Sequence, residues 1–247
     1  MTNIKKNIWI DTRLNEETMK FLNVAISEEN KKNCKQTLAG NIFKSELIID
    51  KDNWFYETTL KKLTERMFYR DLDEYHKYYI EKEDPLPEFE LSDFWVNFQK
   101  QYEFNPLHNH HGLYSFVVFM KIPTHWKEQH ALPISVNSNA PVASDFEFVQ
   151  SKKDNGECFT SQFPLSSEDE GRMLFFPASL YHQVYPFYGT EKERITISGN
   201  IVLDVPKKQE VVKLSGDEYE EKEKIIKMME NSVEIMKEEL EQMKERK

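Results

Sequence analysis

The sequence predicts a mainly β fold with flanking helices, an α+β architecture whose core is an antiparallel sandwich or jelly roll. Three observations carry that expectation. Short aromatic or β-branched segments follow one another with turn-forming residues between them: FWVNFQ (94–99), SFVVFMKI (115–122), DFEFVQ (145–150), RMLFFP (172–177) and RITISGNIVL (194–203). No helical period separates them, which argues against a parallel α/β sheet. Helical patterns lie at the two ends of the chain instead.

The first helix is expected from Asn15, a residue type that caps by accepting from the first-turn amides, with Leu14 and Met19 at staple positions. Met19, Leu22, Ala25 and Ile26 then share one face. After a turn near Gly40, a second helical pattern covers residues 52–68, with Tyr56, Leu60, Leu63 and Met67 on one stripe and a continuation towards Ile80. The DPLP stretch at 84–87 ends it, because proline cannot continue a helix. Three regions follow: a helical or mixed N-terminal segment integrated with the core (1–90), the β core (91–206) and a C-terminal amphipathic helix (217–247). In that last helix Ile226, Met229, Val233, Met236, Leu240 and Met243 alternate spacings of three and four. Such a narrow seam suits either packing on its own domain or a short coiled coil joining two chains as a homodimer, and both readings stay open.

Bulk properties narrow the function. The 247 residues carry 43 acidic against 33 basic side chains, a net charge of −10, so a polyanion-binding surface and a nucleic-acid partner are not expected. No stretch approaches the roughly 20 apolar residues of a membrane helix, and residues 1–11 lack a signal-peptide core, so a cytoplasmic protein without a membrane partner is expected. Cys34 and Cys158 stand apart without metal-site or disulfide spacing and read as ordinary thiols.

The chain has seven histidines, and three of them fall within FNPLHNHHGLYSFVVFM (104–120). If 107–120 enters a strand, alternation places His108 and His110 on one face and turns His111 away. Two imidazoles on one face can converge on a cation at about 2.0–2.1 Å per bond. The third ligand is expected from GRMLFFPASLYHQVYPF (171–187), where His182 opens an extended segment just after a strand and turn. Further on, Arg194, Thr196 and Ser198 alternate along one strand face, a guanidinium and two hydroxyls suited to a carboxylate. Asn97 and Ser115 are further candidates to hydrogen-bond an anion there. The residues thus propose a metal beside an anion pocket. His76, His125 and His130 are read as ordinary surface or core histidines, and Trp95, Phe98, Phe119, Phe175 and Phe176 as core.

NPLHNHHGLYSFV, GRMLFFPASLYHQVYP and ERITISGNIVL, in that order, resemble the 2-oxoglutarate and Fe(II) dependent oxygenases common in tailed phages, relatives of the prolyl hydroxylases. The resemblance covers roughly residues 94–204. It implies a double-stranded β-helix core, His182 as distal metal ligand and Arg194 with Thr196 on the far carboxylate of 2-oxoglutarate. It also implies O2 as second cosubstrate, release of succinate and CO2, and hydroxylation of a small-molecule or peptidyl substrate, in a host cytoplasm if the gene is phage-borne. One departure matters: the superfamily pairs its histidines with a His-x-Asp or His-x-Glu carboxylate, whereas this chain has His108-Asn109-His110. A three-histidine site is therefore expected at His108, His110 and His182. The competing readings are a cupin-like three-histidine dioxygenase without 2-oxoglutarate, a halogenase-like register with His110 first and Gly112 leaving room for an exogenous anion, and a non-catalytic jelly-roll assembly protein.

Overall fold

The computed structural model describes residues 8–28, 31–71, 87–152 and 155–204. All described residues belong to one compact unit, which ends at Asp204. The expected C-terminal helix, the extension towards Ile80, most of DPLP and His76 lie outside the described residues.

Among the described residues ten strands form two antiparallel sheets: β1 (Ile10–Arg13), β2 (Lys44–Leu47), β3 (Phe89–Gln99), β4 (Asn105–His108), β5 (Tyr114–Lys121), β6 (Phe146–Ser151), β7 (Cys158–Phe163), β8 (Arg172–Pro177), β9 (Tyr181–Val184) and β10 (Arg194–Leu203). The larger sheet runs β1-β8-β5-β10-β3-β2 and the smaller β4-β9-β6-β7. From β3 onward the chain repeatedly crosses between sheets, which winds strands β3 to β10 into a jelly-roll-like sandwich.

Among the described residues three α-helices accompany the sheets. In α1 (Glu16–Ser27) the Asn15 side chain accepts from Thr18 N at 2.8 Å, the expected cap, and Leu22 and Ala25 are buried. The second helical region is more broken than its periodicity suggests. A 3-10 turn at Lys51–Asn53 and a π-type turn at Tyr56–Leu60 precede α2 (Lys61–Asp71), because Asp50 accepts from both Phe55 N and Tyr56 N and anchors the entry. The short α3 (Trp126–His130) is capped by His125. No described helix is long and apolar enough to cross a membrane.

The outer face of the larger sheet carries Phe116, Val118, Phe175 and Ile197, buried against Leu22, Phe55, Leu60 and Met67 from the helical layer. The inner face differs by strand. On β5 and β8, Val117, Phe119, Leu174 and Phe176 join Phe146, Phe148 and Phe163 of the smaller sheet in an apolar plug. On β3 and β10 the inward residues other than Trp95 are polar, and they pair across the ladder: Arg194 with Gln99, Thr196 with Asn97, Ser198 with Trp95 and Asn200 with Asp93. Gly199 points outward beneath the Phe116 ring; a Cβ there would sit 2.7 Å from that ring and 2.6 Å from Asp93 O, so the two strands can approach only with glycine at this position.

Candidate metal centre

Strand β4 ends at His108, and its antiparallel register with β9 sets His108 directly across from His182. His110 reaches the same place by another route. The expectation of one continuous strand from residue 107 is corrected: β4 belongs to the small sheet and β5 to the large one, so the chain must turn between them. That turn holds His110 through its own N–H, donated to Ala178 O at 2.9 Å, and through Leu113 N to Ile201 O at 2.8 Å. Gly112 has φ 91°, and a Cβ there would lie 2.8 Å from Ile201 O, so the turn requires glycine. His108 and His110 therefore converge through a change of sheet, while His111 turns outward to Asp93 at 2.8 Å.

The ligand atoms of His108, His110 and His182 all lie within 4.8 Å of one another. His110 Nε2 and His182 Nε2 are 3.2 Å apart. Two nitrogens bound to one cation at about 2.1 Å, at angles of roughly 90–110°, stand about 3.0–3.4 Å apart, so this pair already has ligand spacing. The tautomers fit as well. His108 Nδ1 is 2.7 Å from Pro106 O and His182 Nδ1 is 3.0 Å from Leu180 O. A carbonyl can only accept, so Nδ1 carries the proton in each ring and Nε2 keeps its lone pair for a cation.

Electrostatics favours the neutral, ligating form. Burial pulls His108 below the usual histidine range. Burial, with the charges of His108 and His111 adding to it, brings His110 down to about 4. His182, 4% exposed, is driven well below its ordinary value by burial and then by its two histidine neighbours. Its ring stacks on Phe146 at 5.5 Å and meets the edge of Phe176 at 5.0 Å, so the aromatic plug fixes its orientation. Among the described residues no carboxylate joins this cluster, which is an all-imidazole ligand set.

The three rings open into a cavity of about 430 Å³ that also contains Arg194, Thr196, Ser198 and Asn97. Arg194 is fully buried. Its Nη2 donates to Ser144 O at 2.8 Å and to Ser144 Oγ at 2.5 Å. Its Nη1 makes only 3.5 Å contacts with Gln99 Oε1 and Tyr185 O, and its buried Nε has no partner. Burial lowers the guanidinium to about 10, against the attraction of Asp145, so it remains a cation at neutral pH. A buried cation with an orphaned donor on a cavity wall fits a carboxylate, and this one shares its cavity with the imidazoles. Glu191, close to Arg194 in sequence, accepts instead from Gln101 Nε2 at 2.5 Å.

Asn97 is buried and accepts from Ser45 Oγ at 2.7 Å. Ser115 lies elsewhere. Its hydroxyl donates to Gly199 O at 2.9 Å, and it is not among the cavity residues, whereas Val117 and Phe119 further along β5 are. Trp95, read as core, is buried but forms cavity wall 5.7 Å from the His110 ring. Cys34 lines the cavity too, with its thiol pushed up by burial, whereas Cys158 is exposed.

Some site residues escaped the sequence reading. Gln99, Asp93 and Asn200 continue the same alternation as Asn97 and Ser198, so extending that stripe by one position would have found them. Ser144 offered no local signal. It has φ 75°, and this left-handed backbone is what turns both its carbonyl and its hydroxyl onto Arg194. Next to it, fully buried Asp145 is held by His130 at 2.9 Å, which gives His130 a partner that its sequence neighbours do not disclose.

Residues 93–200, somewhat less than half of the chain, match the family model described as "Putative 2OG-Fe(II) oxygenase". No curated protein matches. Similar solved structures include a prolyl-4-hydroxylase of Pseudomonas putida, at 10% identity and TM-score 0.44, covering 82% of this chain and 96% of that one. Another is the viral collagen prolyl hydroxylase of Paramecium Bursaria Chlorella virus-1, at 12% identity and TM-score 0.42, covering 81% and 98%. HygX from Streptomyces hygroscopicus, solved with nickel and 2-oxoglutarate bound, has 8% identity and TM-score 0.46, covering 80% and 83%. The matched stretch, residues 93–200, is the one that holds His108, His110, His182 and Arg194.

Proposed function

We propose that the protein is a 2-oxoglutarate- and Fe(II)-dependent dioxygenase that hydroxylates a small-molecule or peptidyl substrate. The observation that carries this reading is the opening of three neutral, converging imidazoles and one buried guanidinium into the same cavity. His108, His110 and His182 would hold Fe(II), and Arg194 would grip the distal carboxylate of 2-oxoglutarate, with Thr196, Ser198 and Asn97 offering further hydrogen bonds. When bound, iron and 2-oxoglutarate together supply the oxidising chemistry, with O2 consumed and succinate and CO2 released.

The chain's own residues do the rest. The Pro106 and Leu180 carbonyls hold the Nδ1 protons of His108 and His182 and keep Nε2 available. Ser144 aims Arg194, and Phe146 and Phe176 pack against His182 so that water is excluded from that side of the site. Succinate formation from 2-oxoglutarate, measured with Fe(II) and no added substrate, tests the proposal. Wild type should form succinate, and His182→Ala should lower both bound iron and succinate by at least about a hundredfold. Wild type that binds iron but forms no succinate would overturn it.

The all-imidazole ligand set favours a second reading, a cupin-like dioxygenase that needs no 2-oxoglutarate. That reading predicts O2 consumption insensitive to Arg194→Met.

A further inference from the structure

The polar ladder of β3 and β10 has two chemically opposite ends. At one, Arg194 is sealed from solvent. In the middle, the Ser198/Trp95 pair lies at the level of His110. At the other end stand Asn200 and Asp93, both on the cavity wall. The Asp93 side chain is 39% exposed, so this end is open where the Arg194 end is closed.

Asn200 itself is 2% exposed. Its Nδ2 donates to Asp93 Oδ2 at 3.1 Å, while its buried Oδ1 has no hydrogen-bond partner among the described residues. Asp93 takes its contacts on the same oxygen: His111 Nε2 at 2.8 Å, Asn200 Nδ2 and, at 3.5 Å, Ser92 Oγ. Among the described residues no hydrogen bond reaches Asp93 Oδ1. The open end thus presents two acceptors that lack donors, one on a carboxylate and one on a fully buried amide. An orphaned buried acceptor is costly unless something donates to it. Lys32 also lines the cavity, but it is exposed, so water screens its charge.

We infer that Asp93 and Asn200 form the substrate-recognition end of the cavity and select a cationic N–H donor, an alkylammonium or guanidinium group, presented to the metal level at His110. This inference rests on the oxygenase reading for the reaction, while the binding itself can be read without turnover. A cation with several N–H bonds satisfies both orphaned acceptors at once, and its charge complements Asp93; a neutral alcohol can meet one and a carboxylate neither. A free amine and a peptidyl side chain carry the same donors, and the choice of probes separates these two sources.

The test measures calorimetric affinity of the full chain for 1,4-diaminobutane, for an acetylated lysine-containing glycine pentapeptide, and for 1,4-butanediol as neutral isostere. At least one cationic probe should bind about tenfold or more tighter than the diol, and the tighter of the two identifies a free or a peptidyl source. Asp93→Asn should lower that affinity about tenfold, and Asp93→Glu should retain part of it. In wild type, which requires no variant to fold, the preference should shrink as salt is raised. Equal binding of cations and diol, or a preference unchanged within twofold by Asp93→Asn, would overturn the inference. Succinate formation is scored separately: its absence beside intact amine selectivity removes the oxygenase and leaves this site, and its presence without amine selectivity does the reverse.

Discussion

The interior of the roll has two halves, and the same backbone geometry serves opposite purposes in them. Under β5 and β8 the inward rows are apolar, and Phe146, Phe148, Phe163 and Phe176 close ring on ring, with Phe148 4.9 Å from Phe176 and 5.0 Å from both Phe146 and Trp9. Under β3 and β10 the inward rows, Trp95 apart, are polar and surround a cavity. His182 stands on the boundary, stacked on the aromatic side and within 3.2 Å of His110 on the other. One half holds the sheets together, and the other stays unfilled. The three imidazoles sit where the first can fix the geometry of the second.

Substitutions should separate the halves. Phe148→Ala, which empties a fully buried position touching most of the plug, should cost about 3–5 kcal/mol of stability, read as a lower denaturant midpoint. A loss under 1 kcal/mol would mean that the plug does not carry the fold. On the polar side, Arg194→Met should raise the 2-oxoglutarate KM by at least about tenfold, through loss of a charge-assisted fork. If KM is unchanged, the guanidinium does not face the cosubstrate.

Asp145 gives a pH signature peculiar to the polar half. Burial raises its carboxyl to about 6, against the lowering pull of His130 and Arg194. The folded protein therefore holds this proton more tightly than the unfolded chain, whose aspartates titrate near 3.9 as a rough reference. Its contribution to stability is greatest below about pH 4 and is lost as pH rises through about 6. Denaturation midpoints of wild type and Asp145→Asn should accordingly diverge across that window, the wild type losing ground as pH rises, and parallel profiles would contradict it. The smallest effect is expected at Ser144→Ala, which keeps the carbonyl contact to Arg194 but removes the hydroxyl. The 2-oxoglutarate KM should rise about threefold with kcat nearly unchanged.

The legible parts of the sequence were those whose physics is local. β8 and β10 fall on the expected residues because RMLFFP and RITISGNIVL are buried on both faces or alternate cleanly. β1, β2 and β7 were not expected. IDTR and KSEL are short and polar, and CFTSQF exposes every other residue, so each owes its pairing to a neighbouring strand rather than to its own pattern. The histidine trio could be named because two members lie close in sequence and the third follows a strand end, yet the means of convergence, a crossing between sheets, is tertiary. Asp145 with His130 and Ser144 with Arg194 join residues 15 and 50 positions apart, which no spacing argument reaches.

The central claim is that the imidazole trio and Arg194 serve one bound pair of metal and diacid. The most direct measurement is the visible absorption of the anaerobic protein with Fe(II), titrated with 2-oxoglutarate. A charge-transfer band that saturates at one 2-oxoglutarate per chain, and that requires far more of it in Arg194→Met, is the expected result. Fe(II) bound by wild type with no such band, or a band indifferent to Arg194→Met, would contradict it.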